Sequence, residues 1–321
     1  MSLDSRGRGA GVNRLLGGRR MMRIRSSGVV AGAALLVFAL APVAGSSNAG
    51  AASTKGGAGG SARFHASGPA SLVVPLYDSN SADWSSTCAT LGSSNSFVVA
   101  DIGDPSGPGP YVDPTWASNF SGCQSAHVGV LGYVDTDYCQ TPLATVESQV
   151  DSWFHWYASV GVDGIFLDEV ASPNSPTSRS DCLSGTTSAV TYYESIAAYV
   201  HAEGVNETVT FNYGANPVSG WALSSRIASQ NANILVIFES PYSEYVNYAN
   251  SGRPWSTLAW ESAYSPSHFS VLVYDATGAS LPAAFCSAAL QQRIGYAYST
   301  PNSGWATPAP SSYLQGELSN C

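Results

Sequence analysis

The chain has 321 residues and a formal charge of −9, yet seven of its 13 basic side chains lie before residue 26. From residue 50 onward six basic residues stand against 21 acidic ones, a charge of −15. That balance excludes binding along a nucleic-acid backbone, which needs clustered Lys and Arg; the lone lysine, Lys55, lies in a Gly/Ala/Ser stretch and leaves none for Schiff-base, pyridoxal or phosphate-loop chemistry.

Residues 1–49 read as a secretory signal. Seven arginines precede an uncharged run, Gly28 to Val43, and Ser47-Asn48-Ala49 supplies a small-x-small exit, the three parts of an export signal. The run is shorter than the roughly 20 residues a membrane span needs; an N-terminal anchor is the rival reading. Translation from Met21 or Met22 would give a signal of ordinary length, making 1–20 a mis-assigned start. Residues 50–68 are Gly, Ala and Ser with few large apolar side chains, a flexible leader. The expectation is a secreted, extracellular domain over 69–321, free of the membrane after cleavage and monomeric.

Strands and helices alternate from Ser71. Apolar strands are expected at 71–77, 96–101, 127–134, 164–167, 208–211, 234–238, 271–274 and 295–298. Helices are expected at 145–160, where Val146, Val150, Trp153, Phe154 and Tyr157 share a face, and at 189–201, 219–228, 281–293 and 311–318. Thr145 with Ser148 suits the start of the first. Continuous apolar strands separated by helices mean a parallel sheet covered on both faces. Eight such units in about 250 residues predict a single (β/α)8 TIM barrel, α/β in class.

Six cysteines remain after the signal, read as three disulfides; Cys88–Cys123, Cys139–Cys182 and Cys286–Cys321 are the expected pairs out of 15 arrangements. The five histidines are scattered, without H-E-x-x-H spacing, so no metal is expected. Neither G-x-S-x-G nor G-x-G-x-x-G occurs, and no cofactor is expected.

The strand ends carry the chemistry. Strand one runs into Tyr77-Asp78, two into Asp101, three into Asp135-Thr136-Asp137-Tyr138, four into Asp168-Glu169, five into Asn212, six into Glu239 and seven into Tyr274-Asp275. In a parallel barrel these ends converge on the face where active sites are built. A carboxylate straight after a buried apolar run is unfavourable unless it is hydrogen-bonded or reactive. Asp104, Asp113 and Asp275 suit loop anchors or helix caps. Asp168, Glu169 and Glu239 are the catalytic candidates: two carboxyls facing across a pocket, one ionised and one protonated, are the apparatus of glycoside hydrolysis. Adjacent side chains on a regular strand point oppositely, so only one of Asp168 and Glu169 is expected to act directly. Tyr77, Asp78, Asp101, Tyr133, Asp135, Asn212, Tyr242 and Tyr298 are the substrate-binding candidates, because flat amphipathic rings stack on sugars and polar tips reach hydroxyls. Trp255, Trp260 and Trp305 are further loop aromatics.

Val73-Val74-Pro75-Leu76-Tyr77, Gly107-Pro108-Gly109, Gly132-Tyr133-Val134-x-Thr136-x-Tyr138, Gly164-Ile165-Phe166-Leu167-Asp168-Glu169 and Phe238-Glu239 occur in that order. Together they resemble the spherulin-4-like family of glycoside hydrolases over about residues 71–300. The resemblance implies a barrel acting as an endo-α-1,4-N-acetylgalactosaminidase on galactosamine-containing exopolysaccharide of microbial biofilm matrices. It also implies functional roles for Asp168, Glu169 and Glu239, with Asp168 as nucleophile and Glu239 as acid/base. Four departures fall near the substrate: Asp104-Pro105 where the family has Asn-Pro, Asn212-Tyr213-Gly214 where it favours Asn-Pro-Gly, Tyr274 where it has histidine, and Cys139 where it has a small residue. The partner expected is an amino-sugar polysaccharide. Rival readings are a glycosidase of different specificity and a non-catalytic carbohydrate-binding or wall protein on the same barrel.

Overall fold

A computed structural model describes residues 71–92, 94–171, 188–204, 207–217, 233–278 and 281–320. Eight strands follow the chain: β1 Val73–Pro75, β2 Phe97–Ala100, β3 Gly129–Asp135, β4 Val162–Asp168, β5 Thr208–Asn212, β6 Asn233–Pro241, β7 Phe269–Tyr274 and β8 Tyr296–Ser299. Every neighbouring pair is parallel and the sheet order is the sequence order. A parallel bridge between Ser71 and Tyr296 brings the last strand back to the first. This is the (β/α)8 barrel expected from the apolar strands, and the expected strands all recur within a few residues of their predicted bounds.

The helices are α1 Ser81–Leu91, α2 Pro114–Ser125, α3 Leu143–Tyr157, α4 Ala189–Glu203, α5 Tyr242–Val246, α6 Leu281–Gln291 and α7 Ser311–Asn320. The expected helix at 219–228 lies outside the described residues. Helices α1 and α2 are not among the expected ones, because their Ser, Thr and Asn content makes weak helix formers. Capping and packing stabilise them instead. Asn80 accepts from Ala82 N, and Asp113 accepts from Thr115 N and Trp116 N with Pro114 at the first turn, which satisfies N–H groups a helix start leaves orphaned. Trp84 of α1 packs edge-on against Trp116 of α2 at 5.5 Å, and Phe120 extends the cluster to Trp153 and Tyr157 of α3. Helix α3 starts at Leu143, not at Thr145: Pro142 caps it, its carbonyl accepting from Thr145 N and Val146 N, and as a proline it has no N–H to leave unpaired at the helix start.

The Cys88–Cys123 disulfide ties α1 to α2 as expected. Cys139 and Cys286 are also disulfide-bonded; their expected partners, Cys182 and Cys321, lie outside the described residues. Among the described residues no helix is long and apolar enough to cross a membrane.

Two glycines permit close approaches within the barrel. A Cβ on Gly132 would meet the Trp153 ring of α3 at 2.4 Å, and one on Gly164 would meet the Thr208 carbonyl of β5 at 2.1 Å. The absent side chains let α3 sit flush on β3 and bring β4 and β5 into register. In β6 the pairing with β7 skips Ile237; an extra residue of this kind bends a strand and re-aims the side chains beyond it, and Glu239 stands two positions further on.

Candidate active site

Asp168 ends β4, Asn212 ends β5 and Glu239 lies in the upper part of β6. Three neighbouring strands therefore deliver three polar side chains to one place at the C-terminal mouth. Asn212 is the link. Its Oδ1 accepts from the backbone N–H of Gly214 at 3.0 Å, which fixes the orientation of the amide. Its Nδ2 then donates to Asp168 Oδ1 at 2.6 Å and to Glu239 Oε2 at 2.5 Å. One amide bridges both carboxylates, so the bonded oxygens are at most about 5 Å apart.

The outer oxygen of each carboxylate has its own donor. Tyr133, from β3, donates its hydroxyl to Asp168 Oδ2 at 2.7 Å. Trp305, from the loop after β8, donates its indole N–H to Glu239 Oε1 at 2.7 Å. Beneath them, the Thr136 hydroxyl lies 2.8 Å from the Asp168 carbonyl, 3.0 Å from that of Glu169 and 2.9 Å from the Tyr193 hydroxyl. Tyr193 in turn accepts from the backbone N–H of Ala171. The end of β4 is pinned from both neighbouring sides.

Burial raises both carboxyl groups, since a charge loses water there. Asp168 is raised by burial, opposed by the donors Tyr133, the Glu169 N–H and Asn212. Glu239 is pushed up to about 7 by burial and then by the charge of Asp168, opposed by Asn212 and Trp305. Two acids that share one donor but differ in the rest can hold one proton between them near neutrality.

Further carboxylates rim the Asp168 side. Glu169 follows the strand with a left-handed backbone, φ +51°. That break in the extended run frees it from strand alternation, and burial together with Asp135, Asp168, Asp137 and Asp104 raises it to about 7. Asp135 is raised to about 6, chiefly by burial, while its Oδ1 accepts from Asp137 N. Asp101 is likewise raised to about 6 by burial and by Asp104. Asp104, expected as a loop anchor, lies in the loop after β2, where its backbone N–H donates to Asp101 Oδ1; its carboxyl is raised by burial and by Asp168. Asp113 is a helix cap, as expected.

Residues 71–316 match the spherulation-specific family 4, Spherulin4. The chain belongs to that family. Spherulin-4 of Physarum polycephalum is 29% identical over 195 residues, 60% of this chain and 50% of that protein, so the match spans about half the length of the curated relative. Among solved structures, Aspergillus clavatus Sph3 in complex with GalNAc superimposes with a TM-score of 0.59 at 18% identity, covering 79% of this chain and all of that one. The Rhizomucor miehei chitinase RmChi1 superimposes with a TM-score of 0.50 at 13% identity, over 78% and 99% of the two chains. Both likenesses are of the barrel.

Within the family barrel, the substrate-binding candidates divide. Tyr77 packs edge-on against Tyr133 at 5.7 Å, and its hydroxyl is raised well above the usual range by burial, Asp168 and Glu239. Tyr77, Asp101, Tyr133, Asp135 and Asn212 thus gather round the pair. Asp78 Oδ1 accepts from Asn80 N and shapes the turn into α1. Tyr242 stacks on Tyr245, whose ring lies against Trp255 and Phe238. Tyr298 is buried and accepts from Ala309 N. Asp78 and Tyr242 are not brought to the carboxylates by these contacts, and Tyr298 reaches them only through the Trp305 ring packed against it at 5.9 Å. Trp305 stands in the sequence only as a loop aromatic, and its bond to Glu239 spans 66 positions; no local pattern announces it.

Proposed function

We propose that this protein is a secreted glycoside hydrolase that cleaves internal α-1,4 linkages of a galactosamine- or N-acetylgalactosamine-containing polysaccharide. The observation that carries the reading is the pair Asp168 and Glu239, joined through one amide and supplied with different outer donors. Membership of the family and the GalNAc bound to the Aspergillus clavatus protein support an amino sugar as ligand. The acidic rim of Asp101, Asp104, Asp135 and Glu169 suits a chain that carries some free, cationic amino groups.

Glu239, raised to about 7, keeps its proton near neutrality and gives it to the leaving glycosidic oxygen. Asp168, held in place by Tyr133 and Asn212, attacks the anomeric carbon and forms a glycosyl ester. Glu239, now ionised, takes a proton from water, which opens the ester and returns both groups to their starting state. Two carboxyls that share one amide donor leave little room for a water between them, which supports retention of configuration over inversion.

The test uses the secreted protein expressed from the full chain. Partly deacetylated α-1,4-galactosaminan is digested beside neutral and other amino-sugar polymers, with reducing ends counted, fragments sized and the first anomer read by proton NMR. Mid-length fragments of α configuration from the galactosaminan, absent with Glu239→Gln, are expected. Cleavage of another polymer alone would overturn the substrate, a β first product would overturn retention, and binding without cleavage of any polymer would establish a lectin-like role instead.

A further inference from the structure

Glu317, on α7, is fully buried. Its Oε1 accepts from the backbone N–H of Ser299 at 2.8 Å and from the Ser299 hydroxyl at 2.5 Å. Burying a carboxyl is costly, and the hydrolytic scheme makes no use of this one. Its partner, however, is the last residue of β8, from which the loop carrying Trp305 departs.

That loop is tied along its whole length. At its root Tyr313, one turn before Glu317, places its hydroxyl 3.0 Å from Ser299 Oγ and 3.3 Å from the Ala276 carbonyl. Thr300 O accepts from Ala276 N and Asn302 O from Asp275 N, which fastens the loop to the end of β7. Across the loop, Asn302 Nδ2 reaches Thr307 O, Thr307 Oγ1 and Pro308 O at 3.0–3.1 Å. At its far end Ala309 N donates to the Tyr298 hydroxyl. The Trp305 ring rests between Tyr274 at 5.5 Å and Tyr298 at 5.9 Å and directs its N–H at Glu239.

We propose that Glu317 is a positioning residue, anchoring residues 299–309 through Ser299 as a rigid arm that holds the Trp305 indole N–H on Glu239. The inference rests on the reading of Glu239 as the acid. A fixed donor gives the carboxyl one orientation and favours its ionised form. Other titratable groups that face Glu239 are Asp168 from β4, Tyr77 after β1, Tyr138 after β3 and Tyr274 from β7; all are unchanged in the variants below. A loosened arm therefore moves the Glu239 titration up and lowers turnover, with little effect on substrate affinity.

Two readouts test this. One is the pH profile of kcat and kcat/KM on galactosaminan. The other, independent of activity, is the 15N–1H signal of the Trp305 indole, assigned by its loss in Trp305→Phe and followed through the titration of Glu239. Glu317→Ala is expected to abolish that titration response, move the basic limb up by about one pH unit and lower kcat about tenfold, the loss of one charge-assisted bond. Asn302→Ala, which loosens the arm from outside the core, is expected to act in the same direction and decides the matter if Glu317→Ala fails to fold. The conservative Glu317→Gln keeps the acceptor and is expected to rescue both readouts. A lowered melting temperature with the indole response and the limb unmoved would overturn the proposal. An intact indole response, lost in Glu317→Ala, in a wild type that cleaves no polymer would uphold the arm and refute the hydrolase.

Discussion

Replacing Asn212 with alanine removes one hydrogen bond from Asp168 and one from Glu239 in a single step. Asp168 keeps Tyr133 and the Glu169 N–H, and Glu239 keeps Trp305, so neither carboxyl is left bare. A hydrogen bond to a charged group is worth about 1.5–3 kcal/mol net, and about 1.4 kcal/mol corresponds to a tenfold change in an ionisation constant. The amide lowers both groups, so its loss raises them. Because the nucleophile must be ionised, the acid limb of kcat/KM is expected to move up by about one to two on the pH scale. At a fixed pH below that limb the rate falls about tenfold for every step of one pH that the limb moves. The assay is the reducing-end rate on galactosaminan from pH 3 to 9 for wild type and Asn212→Ala, with circular dichroism at each pH to show that both remain folded. An acid limb at its wild-type position would refute the view that this amide sets the ionisation of the pair.

Asp168→Asn and Glu239→Gln are each expected to abolish turnover while leaving the protein folded with a melting temperature close to that of wild type, since the first replaces a buried carboxylate and the second a protonated carboxyl by a neutral amide of the same shape; unfolding would show that the carboxyl groups serve the fold. Stability is expected to fall with rising pH. Glu317 is raised to about 8 from an ordinary 4.5 by burial, so its contribution is fully present below about pH 4.5 and is lost as the pH passes about 8, an effect of the order of a few kcal/mol. Denaturant melts from pH 4.5 to 9 check this, and Glu317→Gln should flatten the slope. Gly164→Ala places a Cβ 2.1 Å from the Thr208 carbonyl, so β4 and β5 must part; a loss of about 3 kcal/mol or more is expected by denaturant titration. A cost below about 1 kcal/mol would show that the strand pair gives way easily.

Strand identity and order were legible because a strand covered on both faces must be apolar throughout, and GIFL, ILVIF and HVGVLGYV have no other economical use. The mouth was legible for a related reason. Polar residues that stop such runs, as Asp168, Asn212 and Glu239 do, must all emerge at the same end of a parallel barrel. Helices α1 and α2 were not legible, because Trp84, Trp116 and Phe120 stabilise them through one another and their own Ser- and Thr-rich composition does not. Nor was Glu169, whose left-handed backbone sets aside the alternation that a regular strand would impose.

The sequence by itself thus determined that Asp168, Asn212 and Glu239 emerge at the mouth; only the tertiary structure decided how they are paired and that Trp305 joins them. The Asn212 amide donates in two directions because Gly214 fixes its oxygen, and Trp305 meets Glu239 because Ser299 and Glu317 root its loop. Hydrogen bonds between side chains depend on orientation to within tens of degrees, and orientation across 66 positions of chain is a property of packing that no local pattern encodes.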